Sequence, residues 1–253
     1  MRKQIAAANW KMNLTWQKGQ DLLNAIDNGN YTLAEDQLAI FAVPFPYLHL
    51  AQEILQDKTG VFVSAQNVSN KKSGAYTGEV SAEMLQSLGV KYVIVGHSER
   101  REYFAETNAV LAEKIDISLS HDIIPIFCCG EPLSIREANT QNEYVAKQLA
   151  ESLYHLDAAT VTKIIIAYKP IWAIGTGKTA SNEQAQQMHA FIRAELANKY
   201  GSDTANEISI LYGGSVKGAN AKEIFEQPDV DGGLVGGASL VADEFVAIIK
   251  SLK

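Results

Sequence analysis

Eight short runs rich in Ile, Val, Leu and Ala recur along the chain, and most are continuous rather than alternating. They cover residues 5–8, 38–43, 61–65, 92–95, 123–128, 164–168, 208–212 and 230–235. A continuous apolar run of this length reads as a strand buried on both faces, the condition of a parallel sheet. Parallel neighbours cannot be joined by tight hairpins, so a crossover must lie between each pair. Amphipathic stretches occupy those intervals. Residues 181–200 open with Ser181 and Gln184 at capping-box spacing and place Ala185, Met188, Ile192 and Leu196 on one helical face. Residues 108–120 and 142–153 behave likewise, and 243–252 group Phe245, Ile248, Ile249 and Leu252.

Eight strand–helix repeats in 253 residues, with no linker and no low-complexity segment, predict an α/β fold closed as a (β/α)8 barrel, one domain over residues 1–253. The rival, an open doubly wound sheet, is disfavoured by the absence of a second composition class. A net charge of −7 gives no reason to expect nucleic acid or an anionic membrane as partner. No apolar stretch approaches a membrane span, and the chain enters its first strand directly after Met1-Arg2-Lys3-Gln4. Cys128 and Cys129 are the only cysteines, and as neighbours they form no disulfide framework. A reducing, cytoplasmic location is the expectation.

In such a barrel, chemistry gathers at the C-terminal ends of the strands. Reading those ends gives Asn9 and Lys11, Gln66, His97 with Ser98 and Glu99, Cys128 with Glu131, Lys169, Gly213-Gly214-Ser215, and Gly236-Gly237. Glycine pairs after strands seven and eight predict a phosphate site built from backbone N–H groups. Tight turns needing φ > 0 would explain one such pair, but less readily two at adjacent strand ends. His97 at a strand mouth reads as a general acid or electrophile. The other histidines, His49, His121, His155 and His189, fall in or beside helical stretches, where surface or capping roles suffice. Lys11 is placed to draw in an anion.

Two competing motifs fail. Gly177-Lys178-Thr179 ends like a P-loop, but the first glycine of that pattern would fall at Trp172. Gly175 to Ala180 fits G-x-G-x-x-A, yet starts several residues after its strand, and the acid about 20 residues on, Glu195, lies in a helix. No His/Cys/Asp/Glu cluster has metal-ligand spacing, and no metal or cofactor is expected.

Taken in order, Ala8-Asn9-Trp10-Lys11-Met12-Asn13, Ala65-Gln66-Asn67, Gly74-Ala75-Tyr76-Thr77-Gly78-Glu79-Val80, Gly96-His97-Ser98-Glu99-Arg100-Arg101 and Phe127-Cys128-Cys129-Gly130-Glu131 resemble the triosephosphate isomerase family. Tyr168-Lys169-Pro170-Ile171-Trp172, Tyr212-Gly213-Gly214-Ser215-Val216 and Gly233-Leu234-Val235-Gly236-Gly237 extend the likeness over the whole chain. The resemblance implies a TIM barrel that interconverts dihydroxyacetone phosphate and glyceraldehyde 3-phosphate without a cofactor, in glycolysis and gluconeogenesis. The roles it carries over are the family's established ones. His97 would be a neutral electrophile. Asn9 and Lys11 would bind substrate, with Glu99 organising Lys11 and His97. Residues 171–179 would form a closing lid, and Ile174, Gly175, Ser215, Leu234, Gly236 and Gly237 would hold the substrate and its phosphate. Thr77 would sit in a loop that enters the partner of a homodimer.

Lys169 departs from the family pattern, which has its glutamate general base at this position. An ammonium ion has no lone pair with which to accept a proton. For half of Lys169 to be neutral at pH 7 its pKa must fall from about 10.4 to 7, at a cost of roughly 4.6 kcal/mol. The expectation is therefore a triosephosphate isomerase scaffold with severely reduced turnover. A triose-phosphate-binding barrel without turnover, and Schiff-base chemistry through Lys169, stay open as alternatives.

Overall fold

Strands with both faces apolar must be covered inside and out, and a closed sheet ringed by helices does both. The computed structural model describes residues 2–173 and 180–253. Its strands are β1 (Gln4–Asn9), β2 (Gln37–Val43), β3 (Val61–Ala65), β4 (Tyr92–Val95), β5 (Ile124–Cys129), β6 (Ile165–Tyr168), β7 (Ile210–Tyr212) and β8 (Gly232–Val235). They pair in sequence order as a closed parallel barrel. The seam joins β1 to β8, with Ile5 opposite Gly232 and Ala8 opposite Val235. This is the single TIM-barrel domain that the eight apolar runs predict.

Alternation along each strand divides the core in two. Ile5, Ala7, Ile40, Ile94, Ile126 and Leu211 pack with other strand residues alone, filling the barrel interior. Their sequence neighbours, such as Ala6, Ala8, Phe41, Val95, Phe127 and Ile210, pack outward beneath the helices. The same alternation separates the two thiols, because Cys128 belongs to the inner cluster and Cys129 to the outer. Both cysteines are free and buried.

The helix expected over residues 181–200 runs Asn182–Tyr200, with both reciprocal bonds of the capping box formed between Ser181 and Gln184. Those expected over 108–120 and 142–153 are Asn108–Leu119 and Gln141–Leu153, and the last is Ala242–Ile249. The last two strands begin two residues later than the apolar runs suggest. At that corner the Asp231 carboxylate accepts the backbone N–H of Ile210 at 2.9 Å and a guanidinium N–H of Arg193 at 2.9 Å. A side chain thus occupies a donor that a neighbouring strand would otherwise take. Among the described residues, no helix is long and apolar enough to cross a membrane.

Barrel closure depends on Gly232, whose φ of +116° is open to glycine and strained for other residues. A Cβ there would lie 2.0 Å from the Ile5 carbonyl oxygen, so any side chain would push β8 off β1. Gly232→Ala is expected to lower stability by on the order of 3 kcal/mol, read as a lower urea midpoint with an unchanged slope. A midpoint equal to that of the unaltered chain would show that the seam tolerates a side chain.

Candidate active site

The strand ends converge on a cavity of about 610 Å³ lined by Asn9, Lys11, His97, Ser98, Lys169, Ser215, Leu234, Gly236 and Gly237, among others. Of the residues singled out in the sequence, Glu99 reaches the cluster through Lys11 and His97, and Thr77 lies apart in the exposed stretch 71–79. Ile174 and Gly175, with the rest of the segment 174–179, fall outside the described residues.

Lys11 follows β1 at φ +53°, a left-handed conformation uncommon for a lysine. Two side chains hold it there. Asn9 Oδ1 accepts the Lys11 backbone N–H at 3.0 Å, and Gln66 Nε2 donates to the Lys11 carbonyl at 3.0 Å. The ammonium that this backbone projects donates to Glu99 Oε1 at 2.6 Å. Burial alone would raise the Glu99 carboxyl. The Lys11 hydrogen bond and the surrounding positive charge outweigh it and hold Glu99 below its ordinary range.

His97 leaves β4 and caps the helix Ser98–Tyr103, where its Nδ1 accepts the Glu99 backbone N–H at 3.4 Å. Burial first, then the Lys169 ammonium, lower its pKa to about 4. Lys11 adds to the lowering, and the Glu99 carboxylate, 3.4 Å from Nδ1, opposes it. The ring is therefore neutral at pH 7. With Nδ1 used as an acceptor, its proton resides on Nε2.

Lys169 stands at the end of β6, its backbone N–H bonded to the Cys129 carbonyl at 2.9 Å. Its Nζ donates to Ser98 Oγ at 3.0 Å. Burial, then the Lys11 ammonium, lower its pKa below the ordinary lysine range, and Glu99 resists. Beyond it, Ile171–Ala173 form a 3-10 turn in which Trp172 Nε1 donates to Glu131 Oε1 at 2.8 Å. Tyr168 Oη donates to the same oxygen at 3.0 Å. Glu131 thus ties the root of the expected lid to β6.

The glycine pairs do not serve left-handed turns, since none of Gly213, Gly214, Gly236 and Gly237 has φ in that region. Gly214 is required by packing, because a Cβ would lie 2.2 Å from the Tyr212 hydroxyl. At Gly237 a Cβ would meet nothing within 4 Å, and at Gly236 only Lys11 Cε at 3.6 Å. Their lack of side chains leaves room on the cavity side, where a ligand can approach backbone N–H groups.

The structure corrects one expectation and adds one residue. His189 is neither a surface nor a capping residue. It is fully buried against the Tyr168 and Tyr212 rings, and burial lowers its pKa to about 4. The helical pattern placed it on the inner face, and its polarity disguised that. Arg101 has a role that its sequence motif does not disclose. It lines the cavity and braces β4 to β5, donating to the Gly96 carbonyl at 2.8 Å and the Cys128 carbonyl at 2.9 Å. A second arginine after the strand-four histidine was its only sequence signal.

A family model described as triosephosphate isomerase matches residues 4–252. A protein named triosephosphate isomerase from Cytophaga hutchinsonii is 53% identical over 256 residues, covering 99% of this chain and 100% of its own. One from Phocaeicola vulgatus is 53% identical over 255 residues, covering 100% of both. One from Porphyromonas gingivalis is 52% identical over 254 residues, covering 99% and 100%.

Because Lys169 contributes to the neutrality of His97, Lys169→Met is expected to raise the His97 pKa from about 4 toward 6.5. It should stop short of 6.5, since burial is the larger cause. Imidazole ¹⁵N shifts followed by NMR across pH 3–7 read this directly, and an unchanged midpoint would remove Lys169 from the electrostatics of the ring.

Proposed function

The chain belongs to the triosephosphate isomerase family, and from that premise we propose that it binds triose phosphates in the strand-end cavity but isomerises them with a severely weakened proton-transfer step. The observation that carries this reading is the position of the Lys169 ammonium, inside the cavity shared with His97 and Lys11. In the proposed pose the phosphate lies against Ser215, Gly236 and Gly237, with Leu234 beneath it. The carbonyl oxygen faces His97 Nε2–H and the Lys11 ammonium.

Isomerisation moves a proton between adjacent carbons through an enediolate. His97 donates a hydrogen bond from Nε2 to the oxygen on which charge develops. Lys11 offsets the enediolate charge from a backbone fixed by Asn9 and Gln66, while Glu99 holds its ammonium in place. These groups stabilise the intermediate but do not remove the carbon-bound proton. That step falls to position 169, where the family's glutamate has been replaced by an ammonium. A positioned general base supplies ~10²–10⁴-fold in rate, and this contribution is the one lost.

The same reading assigns the exposed stretch 71–79 to a homodimer contact. Thr77 lies in it, Tyr76 is an exposed aromatic, and Met12 near the cavity is 96% exposed. A cytoplasmic setting accords with two free, buried thiols.

Two outcomes test the proposal. Lys169→Glu is expected to raise kcat in a coupled isomerisation assay by ~10²-fold or more, with a small change in KM. Equal rates for the two proteins would refute the loss of the base. The residual activity of the unaltered chain should rise with pH. The neutral amine, the only form able to accept a proton, grows as pH approaches the lowered Lys169 pKa from below. Lys169→Met should abolish that alkaline rise, and its persistence would assign the base elsewhere.

A further inference from the structure

We propose that Lys169 is a covalent capture site for the ketone of a small ketose phosphate, its Nζ forming a Schiff base with the carbonyl carbon. The inference rests on the reading of the cavity as a triose phosphate site and assigns that site a second chemistry.

Three features converge on it. The first is a fixed root. The Lys169 backbone is pinned by the Cys129 carbonyl, and the glycines on either side leave no slack. A Cβ on Gly130 would lie 1.9 Å from the Lys169 carbonyl oxygen, and one on Gly213 would lie 3.3 Å from the Lys169 Cβ. The amine therefore moves only by rotation beyond Cβ, within the cavity.

The second is the partner of that amine. Among the described residues, Nζ donates to a neutral hydroxyl, Ser98 Oγ, and makes no ion pair within 4.0 Å, whereas Glu99 is engaged by Lys11 at 2.6 Å. An ammonium clamped by a carboxylate is held protonated, and Lys169 is not clamped. Burial and the Lys11 charge lower its proton affinity further, which enlarges the nucleophilic fraction. The third is a proton donor. The neutral His97 ring presents Nε2–H to the cavity that a bound carbonyl would enter.

The step balances from these parts. The lone pair of neutral Nζ forms a bond to the carbonyl carbon as the C=O π pair moves to oxygen. That oxygen takes a proton from His97 Nε2, and the attacking nitrogen releases one of its own, which restores His97. The nitrogen lone pair then forms C=N as the hydroxyl leaves with a further proton as water. The product is a protonated imine on Lys169, formed from the amine, the ketone and one proton with loss of one water. No electrons are gained or lost, and hydrolysis reverses the reaction.

The test treats the full chain with dihydroxyacetone phosphate and sodium cyanoborohydride, followed by intact-mass and peptide mapping. One reduced-imine adduct is expected on the peptide that carries Lys169. It should form at least ~10-fold faster than on an exposed lysine such as Lys72, because the bound ketone is held beside the amine. Inorganic phosphate should suppress it, and Lys169→Arg should abolish it. Labelling spread over surface lysines without preference for Lys169 overturns the proposal. Calorimetric titration with the same ketose phosphate separates the two levels of the argument. Saturable binding without an adduct removes the capture and leaves the triose phosphate site standing, while absence of binding removes both.

Discussion

Closure of the barrel by the β1–β8 seam is the constraint on which the rest depends. An open sheet would spread its strand ends along a line, and the residues after β1, β4 and β6 would lie far apart. Joining Ile5 to Gly232 and Ala8 to Val235 bends that line into a ring. Asn9, Lys11, His97 and Lys169, separated by up to 160 positions in sequence, then face one cavity. The helices cover the outer apolar layer and so bury backbone polar groups that the parallel ladders have already satisfied.

Within the ring, charge and burial act together. His97 is driven neutral by burial and by the Lys169 ammonium, and Glu99 is kept ionised by Lys11. A carboxylate at position 169 would act on His97 in the opposite sense, so the lysine does more than remove an acceptor. It also lowers further the pKa of the group that polarises the carbonyl. The same cation crowds Lys11, which favours the neutral amine at 169. Loss of a base and gain of a nucleophile are thus two consequences of one substitution, and they appeal to different protonation states of the same nitrogen.

Much of this was legible in the chain. The β-branched runs marked the strands because burial on both faces leaves no polar alternation, and the residues after them marked the site. The start of β7 was not legible, since the side chain of Asp231, remote in sequence from Ile210, takes the donor that would have opened the strand. The surroundings of His189 are not legible in the chain, because local pattern gives a helical face but not what packs on it, here the rings of Tyr168 and Tyr212. The role of Arg101 is not legible in the chain, because its partners, the Gly96 carbonyl just after β4 and the Cys128 carbonyl in β5, are brought together only by the pairing of those strands.

By itself the sequence determined the barrel, the kinds of group at its mouth and the identity of the odd residue, because these follow from hydrophobic period and from residue type at strand ends. Tertiary structure decided the protonation and pairing of those groups. Whether His97 is neutral, whether Glu99 serves Lys11, and whether the Lys169 amine faces a hydroxyl or a carboxylate depend on burial and on distances of a few ångströms between remote segments. Coulomb and desolvation energies vary steeply over such distances, and no local pattern in the chain encodes them.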